Sequence, residues 1–103
     1  MARNNGYTYI VHATGTDLYK IGSSTDVRRR ISGLQSGSAN LLEIVTVVEG
    51  TDVERILHDI FADYRRHGEW FELDNPLLVL IVRTAAHQQS RWRTRRTHLR
   101  AVS

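Results

Sequence analysis

Tyr9 and Lys20 stand on two short segments that the sequence places side by side. Tyr7-Thr8-Tyr9-Ile10-Val11-His12-Ala13 and Leu18-Tyr19-Lys20-Ile21-Gly22 are rich in β-branched and aromatic residues, which favour strands. Thr14-Gly15-Thr16-Asp17 between them supplies turn residues, so the pair is expected to form an antiparallel hairpin. A phenol near pKa ~10 is a poor base at neutral pH, but an ammonium on the paired strand favours its ionised form. Lysine can also act as a base itself when desolvation lowers its pKa. The plain alternative is a cross-strand Tyr–Lys pair with no catalytic consequence. Further along, Arg28-Arg29-Arg30 offers guanidinium forks that suit phosphate or carboxylate, and Glu54 and His58 share a helix face at i, i+4. The run Arg91-Trp92-Arg93-Thr94-Arg95-Arg96-Thr97-His98-Leu99-Arg100 is the kind of surface that grips a phosphate backbone, or else a solvated tail.

The elements that must position these groups follow from periodicity. Ser23-Ser24-Thr25-Asp26 offers several N-caps for a first helix, in which Val27, Ile31 and Leu34 recur on one face and Arg30 flanks it. Gln35-Ser36-Gly37-Ser38 ends that helix, and Leu41 to Glu49 reads as a third strand. Thr51-Asp52-Val53-Glu54 has the Thr-x-x-Glu form of a capping box, so a second helix is expected from there through Tyr64. Arg65-Arg66-His67-Gly68 is read as its stop, followed by a short extended segment Glu69 to Leu73. Trp70 and Phe71 are expected to pack as core at the sheet edge, over the second helix. Asn75-Pro76 opens a third helix running toward the arginines. The order is β-β-α-β-α-(β)-α, an α+β domain with a small three-stranded antiparallel sheet flanked by helices.

At 103 residues the chain is expected to be one domain, with residues 1–90 as its body and 91–103 as a basic C-terminal tail. The net charge of +3 conceals an asymmetry. Met1 to Asp74 carries eight basic and all eleven acidic residues, net −3, whereas Asn75 to Ser103 carries six arginines and no acid, net +6. That contrast points to a nucleic-acid partner. The longest apolar run, Leu77 to Val82, is far too short for a membrane span. Met-Ala-Arg-Asn-Asn-Gly lacks the apolar core of a signal peptide, and there are no cysteines, so a cytoplasmic location is expected. Five histidines without cysteine or a tight His pair make no case for zinc.

Taken in order, these residues resemble the GIY-YIG endonuclease superfamily. Tyr7-Thr8-Tyr9-Ile10 and Lys20-Ile21-Gly22-Ser23-Ser24 look like its paired strands. Thr25-Asp26-Val27-x-x-Arg30-Ile31 is similar to its following helix, and Glu54 stands where the superfamily keeps a metal-binding glutamate. Phe61-x-x-Tyr64-Arg65-x-His67-Gly68-Glu69-Trp70-Phe71 resembles the phage-associated T5orf172 or MUG113-like branch, in which Lys-Ile-Gly replaces Tyr-Ile-Gly. The resemblance spans Tyr7 to about Leu73. Two departures stand out: the leading glycine of the first tripeptide is absent, and Lys20 replaces the second tyrosine. Tyr19 cannot substitute for it, because one residue of shift in a strand reverses the face.

The resemblance implies a DNA endonuclease using Mg2+ or Mn2+, with Tyr9, Lys20, Arg30, His58 and Glu54 as catalytic residues. Glu54 would bind the metal; its plain alternative is a capping-box glutamate, and the two roles compete for the same oxygens. Tyr9 would be base or positioner for the attacking water, with Lys20 tuning it or acting as base. Arg30 would fork onto the scissile phosphate. His58 would orient a water or donate to the leaving oxygen, and His12 and His67 are weaker candidates. Arg28, Arg29, Arg91, Arg93, Arg95, Arg96 and Arg100 would contact nucleic acid, although for Arg28 and Arg29 a plain solvent-exposed helix face is the preferred reading. The partner is DNA, with no membrane and no small-molecule cofactor. The rival readings are an inactive nucleic-acid-binding module of the same fold and a protein-interaction domain whose basic tail docks on an acidic partner. So small a chain leaves no room for a separate recognition domain, so weak sequence preference is expected.

Overall fold

The computed structural model describes residues 6–102, with side chains described as far as Arg91. The expected hairpin forms: β1 (Tyr7–Ala13) and β2 (Leu18–Ser24) pair antiparallel, with Tyr9 opposite Gly22 and Val11 opposite Lys20. Gly15 turns the chain between them at φ 85°, where a side chain would be strained. Helix α1 (Val27–Ser36) is capped by Asp26, whose carboxylate accepts from the Arg29 N–H at 3.1 Å. Strand β3 (Leu42–Glu49) returns along the other side of β1. Helix α2 (Asp52–Ile60), a 3-10 turn (Ala62–Tyr64), β4 (Arg65–His67), β5 (Trp70–Glu72) and helix α3 (Pro76–Val102) complete the chain. As the Asn75-Pro76 pair predicts, Asn75 caps α3, its side-chain oxygen accepting from Leu77 N–H at 2.8 Å.

The sheet has five antiparallel strands in the order β3-β1-β2-β5-β4, not the expected three. The difference arises between Phe61 and Glu72. Phe61 leaves the helical region at φ −105°, ψ 26°, and the backbone tightens through the 3-10 turn, so α2 stops short of Tyr64. The basic residues read as a helix stop form β4 instead. Gly68, at φ 55°, then reverses the chain into β5, and the Arg65 side chain braces the turn by donating to the Gly68 carbonyl at 2.7 Å. Glycine at a left-handed position serves a hairpin turn as well as a helix end, and only the pairing with β2 separates the two.

Both faces of the sheet are covered, with β1 an interior strand buried from Thr8 to Val11. Ile10, Ile21, Val48 and Phe71 point to α2 and α3, meeting Val53, Leu57, Val82 and Ala86. Tyr9, Val11, Ala13 and Leu42 point to the opposite face, under Val27, Ile31 and Leu34 of α1. The two-residue period of a strand thus puts neighbouring residues into different cores. It also separates Trp70 from Phe71. Phe71 is core beneath the α2 side, as expected, but Trp70 is only half-buried and lies on the α1 side, opposite Lys20. Among the described residues, no helix is long and apolar enough to cross a membrane.

Candidate active site

Tyr9 on β1 sits opposite Gly22 on β2, and the missing side chain of Gly22 makes room for its ring. A Cβ at Gly22 would lie 2.5 Å from the Tyr9 hydroxyl oxygen and 3.1 Å from Glu69 Oε1. Both groups therefore border the same small space. Tyr9 is wholly buried, and its hydroxyl has no hydrogen-bond partner. A buried hydroxyl left unpaired costs about 1–3 kcal/mol, so its orientation calls for a reason. Burial, and then the Glu69 charge, push its pKa upward; Arg30 of α1 pulls the other way without reaching hydrogen-bonding alignment. The net direction is up, so Tyr9 is a neutral phenol near pH 7.

Glu54 turns toward the end of β2 rather than closing a capping box. Thr51 makes no side-chain capping bond, so the capping box does not close on that side. Glu54 Oε1 instead accepts from the Ser23 hydroxyl at 2.8 Å, which draws the carboxyl toward the end of β2. His58, one turn along α2, places Nε2 3.7 Å from Glu54 Oε2. The same nitrogen donates to the Ile21 carbonyl at 2.8 Å, and the ring packs edge-on to Phe71. His58 thereby ties α2 to β2 and fixes the turn of helix that carries Glu54.

Glu69 comes to the site from the β4–β5 turn. Its carbonyl accepts from Ile21 N–H at 3.0 Å, extending the β2–β5 pairing into the turn and fixing the backbone beside Gly22. Its carboxylate lies 3.3 Å from Lys20 Nζ, and that ammonium also stands 5.4 Å above the Trp70 ring. The carboxyls of Glu54 and Glu69 are near enough to shift each other's ionisation. Burial, then the neighbouring Glu69, raises the Glu54 pKa; burial also opposes ionisation of Glu69, but the Glu54 hydrogen bond and the Lys20 charge outweigh it and lower its pKa. Of the two, Glu69 therefore ionises more readily than Glu54.

The site therefore brings together Tyr9, Lys20, Glu54 and His58, with exposed Arg30 at its rim. Arg28, Arg29 and Arg91 are exposed. The side chains of Arg93, Arg95, Arg96 and Arg100 lie outside those described. His12 turns away from the site, donating to the Thr16 carbonyl at 2.7 Å and stacking on Tyr19. His67 is exposed on β4. Three site residues are not marked by the sequence: Gly22 as a steric allowance, Ser23 as the anchor of Glu54, and Glu69. One signal was available for the Lys20 neighbourhood. Lys20 is the only lysine in a chain that otherwise uses arginine for every cation.

A hard divalent cation fits this donor set. The oxygens of Glu54 and Glu69 converge from separate elements beside an unpartnered buried hydroxyl, and such a cation accepts one or two carboxylates with waters completing its shell. Among the described residues, no cluster of three or more His, Cys, Asp or Glu side chains is placed to hold a metal.

The T5orf172 domain model matches residues 6–93. The chain belongs to the T5orf172 domain family. The match takes in every element from β1 to β5, so the whole candidate site lies inside the T5orf172 domain. No curated protein and no solved structure matches the chain.

Proposed function

We propose that this T5orf172 domain is a divalent-metal-dependent endonuclease of the GIY-YIG type, hydrolysing DNA phosphodiester bonds with weak sequence preference. The observation that carries the reading is the placement of Glu54. Drawn in by Ser23, its carboxyl acts on the unpartnered Tyr9 hydroxyl, as Arg30 also does, and on Glu69, which Lys20 engages. Mg2+ or Mn2+ held by Glu54 would absorb charge on the phosphoryl oxygens and help the 3′ oxygen depart. Water attacks phosphorus, the bond to the 3′ oxygen breaks, and the products are a 5′-phosphate and a 3′-hydroxyl. Tyr9, neutral near pH 7, orients the attacking water through its hydroxyl and does not act as a phenolate base. Arg30 forks onto the scissile phosphate, with Arg28 and Arg29 along the flanking backbone. His58 holds Glu54 in place, and the arginines of the C-terminal helix grip the duplex.

One observation favours a second reading. Lys20 is engaged by Glu69, and the phenol of Tyr9 stays protonated, an arrangement that also suits a nucleic-acid-binding module without catalysis. A supercoiled-plasmid nicking assay with Mg2+ or Mn2+ separates the two. Nicking that needs metal and disappears in Glu54→Ala and Arg30→Ala supports the nuclease. Salt-sensitive DNA binding without nicking by the wild type supports the binding module.

A further inference from the structure

We propose that Glu69 is a second carboxylate ligand for the divalent cation held by Glu54, and that Lys20 competes with that cation for it. The inference rests on the metal-dependent reading above and adds a residue to it. Glu54 is carried by α2 and Glu69 by the β4–β5 turn, so their convergence is a product of the fold and not of a local acidic run. The Ser23 hydroxyl fixes one carboxyl at 2.8 Å, and the Ile21 N–H bond to the Glu69 carbonyl fixes the backbone of the other at 3.0 Å.

An independent observation points into the same space. The Tyr9 hydroxyl is wholly buried and unpartnered, and it borders the gap at Gly22 that Glu69 Oε1 also borders. A water on a cation between the carboxylates would give that hydroxyl its partner. Magnesium-type ions keep several waters and bind through one or two carboxylates, which matches this sparse set of oxygens. Lys20 Nζ, 3.3 Å from Glu69 Oε1, already supplies positive charge there. An ammonium and a divalent ion cannot share one carboxylate closely without mutual repulsion, so binding of one weakens the other.

The competition separates a ligand role from a merely structural one. Mn2+ binding to the full chain is measured by electron paramagnetic resonance for the wild type, Glu54→Gln, Glu69→Gln, Glu69→Asp and Lys20→Met. The expected pattern is binding by the wild type, loss in Glu54→Gln and weakening of at least about 10-fold in Glu69→Gln. Glu69→Asp, which keeps a carboxylate, retains more binding than Glu69→Gln, and Lys20→Met binds more tightly than the wild type. If Glu69 only held Lys20 in place, Lys20→Met and Glu69→Gln would weaken binding alike, and the inference is overturned. Binding lost in Glu54→Gln but unchanged in Glu69→Gln also overturns it while leaving the metal role of Glu54 standing. No Mn2+ binding by the wild type removes both.

Discussion

A single methyl group added at Gly22 would lie 2.5 Å from the Tyr9 hydroxyl oxygen and 2.7 Å from the ring carbon that carries it. Tyr9 has nowhere to retreat, since it is enclosed by β1, β2 and the α1 side of the core. Gly22→Ala is therefore expected to destabilise the domain by about 1–3 kcal/mol, the usual range for overpacking. A denaturant midpoint within error of the wild type would mean that the ring moves freely, and that the glycine has no steric role.

Removing the Tyr9 hydroxyl is expected to act in the opposite sense on stability. Tyr9→Phe keeps the buried ring and deletes a polar atom that has no partner. The fold should gain on the order of 1 kcal/mol, or about 4–8 °C in Tm, while DNA cleavage falls. Stability given up at a functional position is a common pattern. A lower Tm for Tyr9→Phe would contradict the unpaired hydroxyl.

Alkaline pH provides a separate test of burial. Tyr19 has its pKa pushed above the ordinary 10.0, first by burial and then by Asp17. The fold thus favours the neutral phenol. Its contribution to stability is complete below about pH 10 and fades as pH climbs through the higher folded value. Thermal melts from about pH 8 to about pH 11.5 should show wild type losing stability over the upper part of that range, and Tyr19→Phe losing less. Parallel declines for both proteins would remove Tyr19 as the cause.

Much of this architecture was legible in the sequence, and the failures share a cause. The β1–β2 hairpin, the Asp26 region as cap of α1, and the Asn75 cap of α3 are all local signals, written within a few residues of where they act. The difference in strand number comes from Arg65-Arg66-His67-Gly68, where a helix stop and a hairpin turn use the same residues. What decides between them is pairing of Lys20 with Trp70, across a long stretch of chain. The site divides the same way. Tyr9, Lys20, Arg30 and Glu54 could be marked by type and order, but Glu69 becomes a site residue only when β5 docks on β2. Glu54 looked like a cap because Thr51 stood three residues before it; the hydroxyl that actually takes its carboxyl, Ser23, is on another element.

The arginine run makes a prediction about salt. Replacing Arg93, Arg95, Arg96 and Arg100 with glutamine should weaken DNA binding on all sequences alike. The slope of log affinity against log salt should shrink by about 0.9 for each phosphate that an arginine no longer neutralises. Filter binding or fluorescence anisotropy across a salt series measures it. An unchanged slope would show that the run does not touch the backbone, and would favour a solvated tail.

The most direct test of the metal-dependent nuclease follows strand cleavage and binding on one labelled duplex, with Mn2+ and with EDTA, for wild type and Glu54→Gln. The expected result is cleavage by the wild type only with metal and a fall of at least about 100-fold in Glu54→Gln, a larger loss than an outer-shell partner gives. Binding in EDTA should stay similar for the two proteins. A folded wild type that binds the duplex yet leaves it intact at every metal concentration would contradict the nuclease and leave a nucleic-acid-binding module.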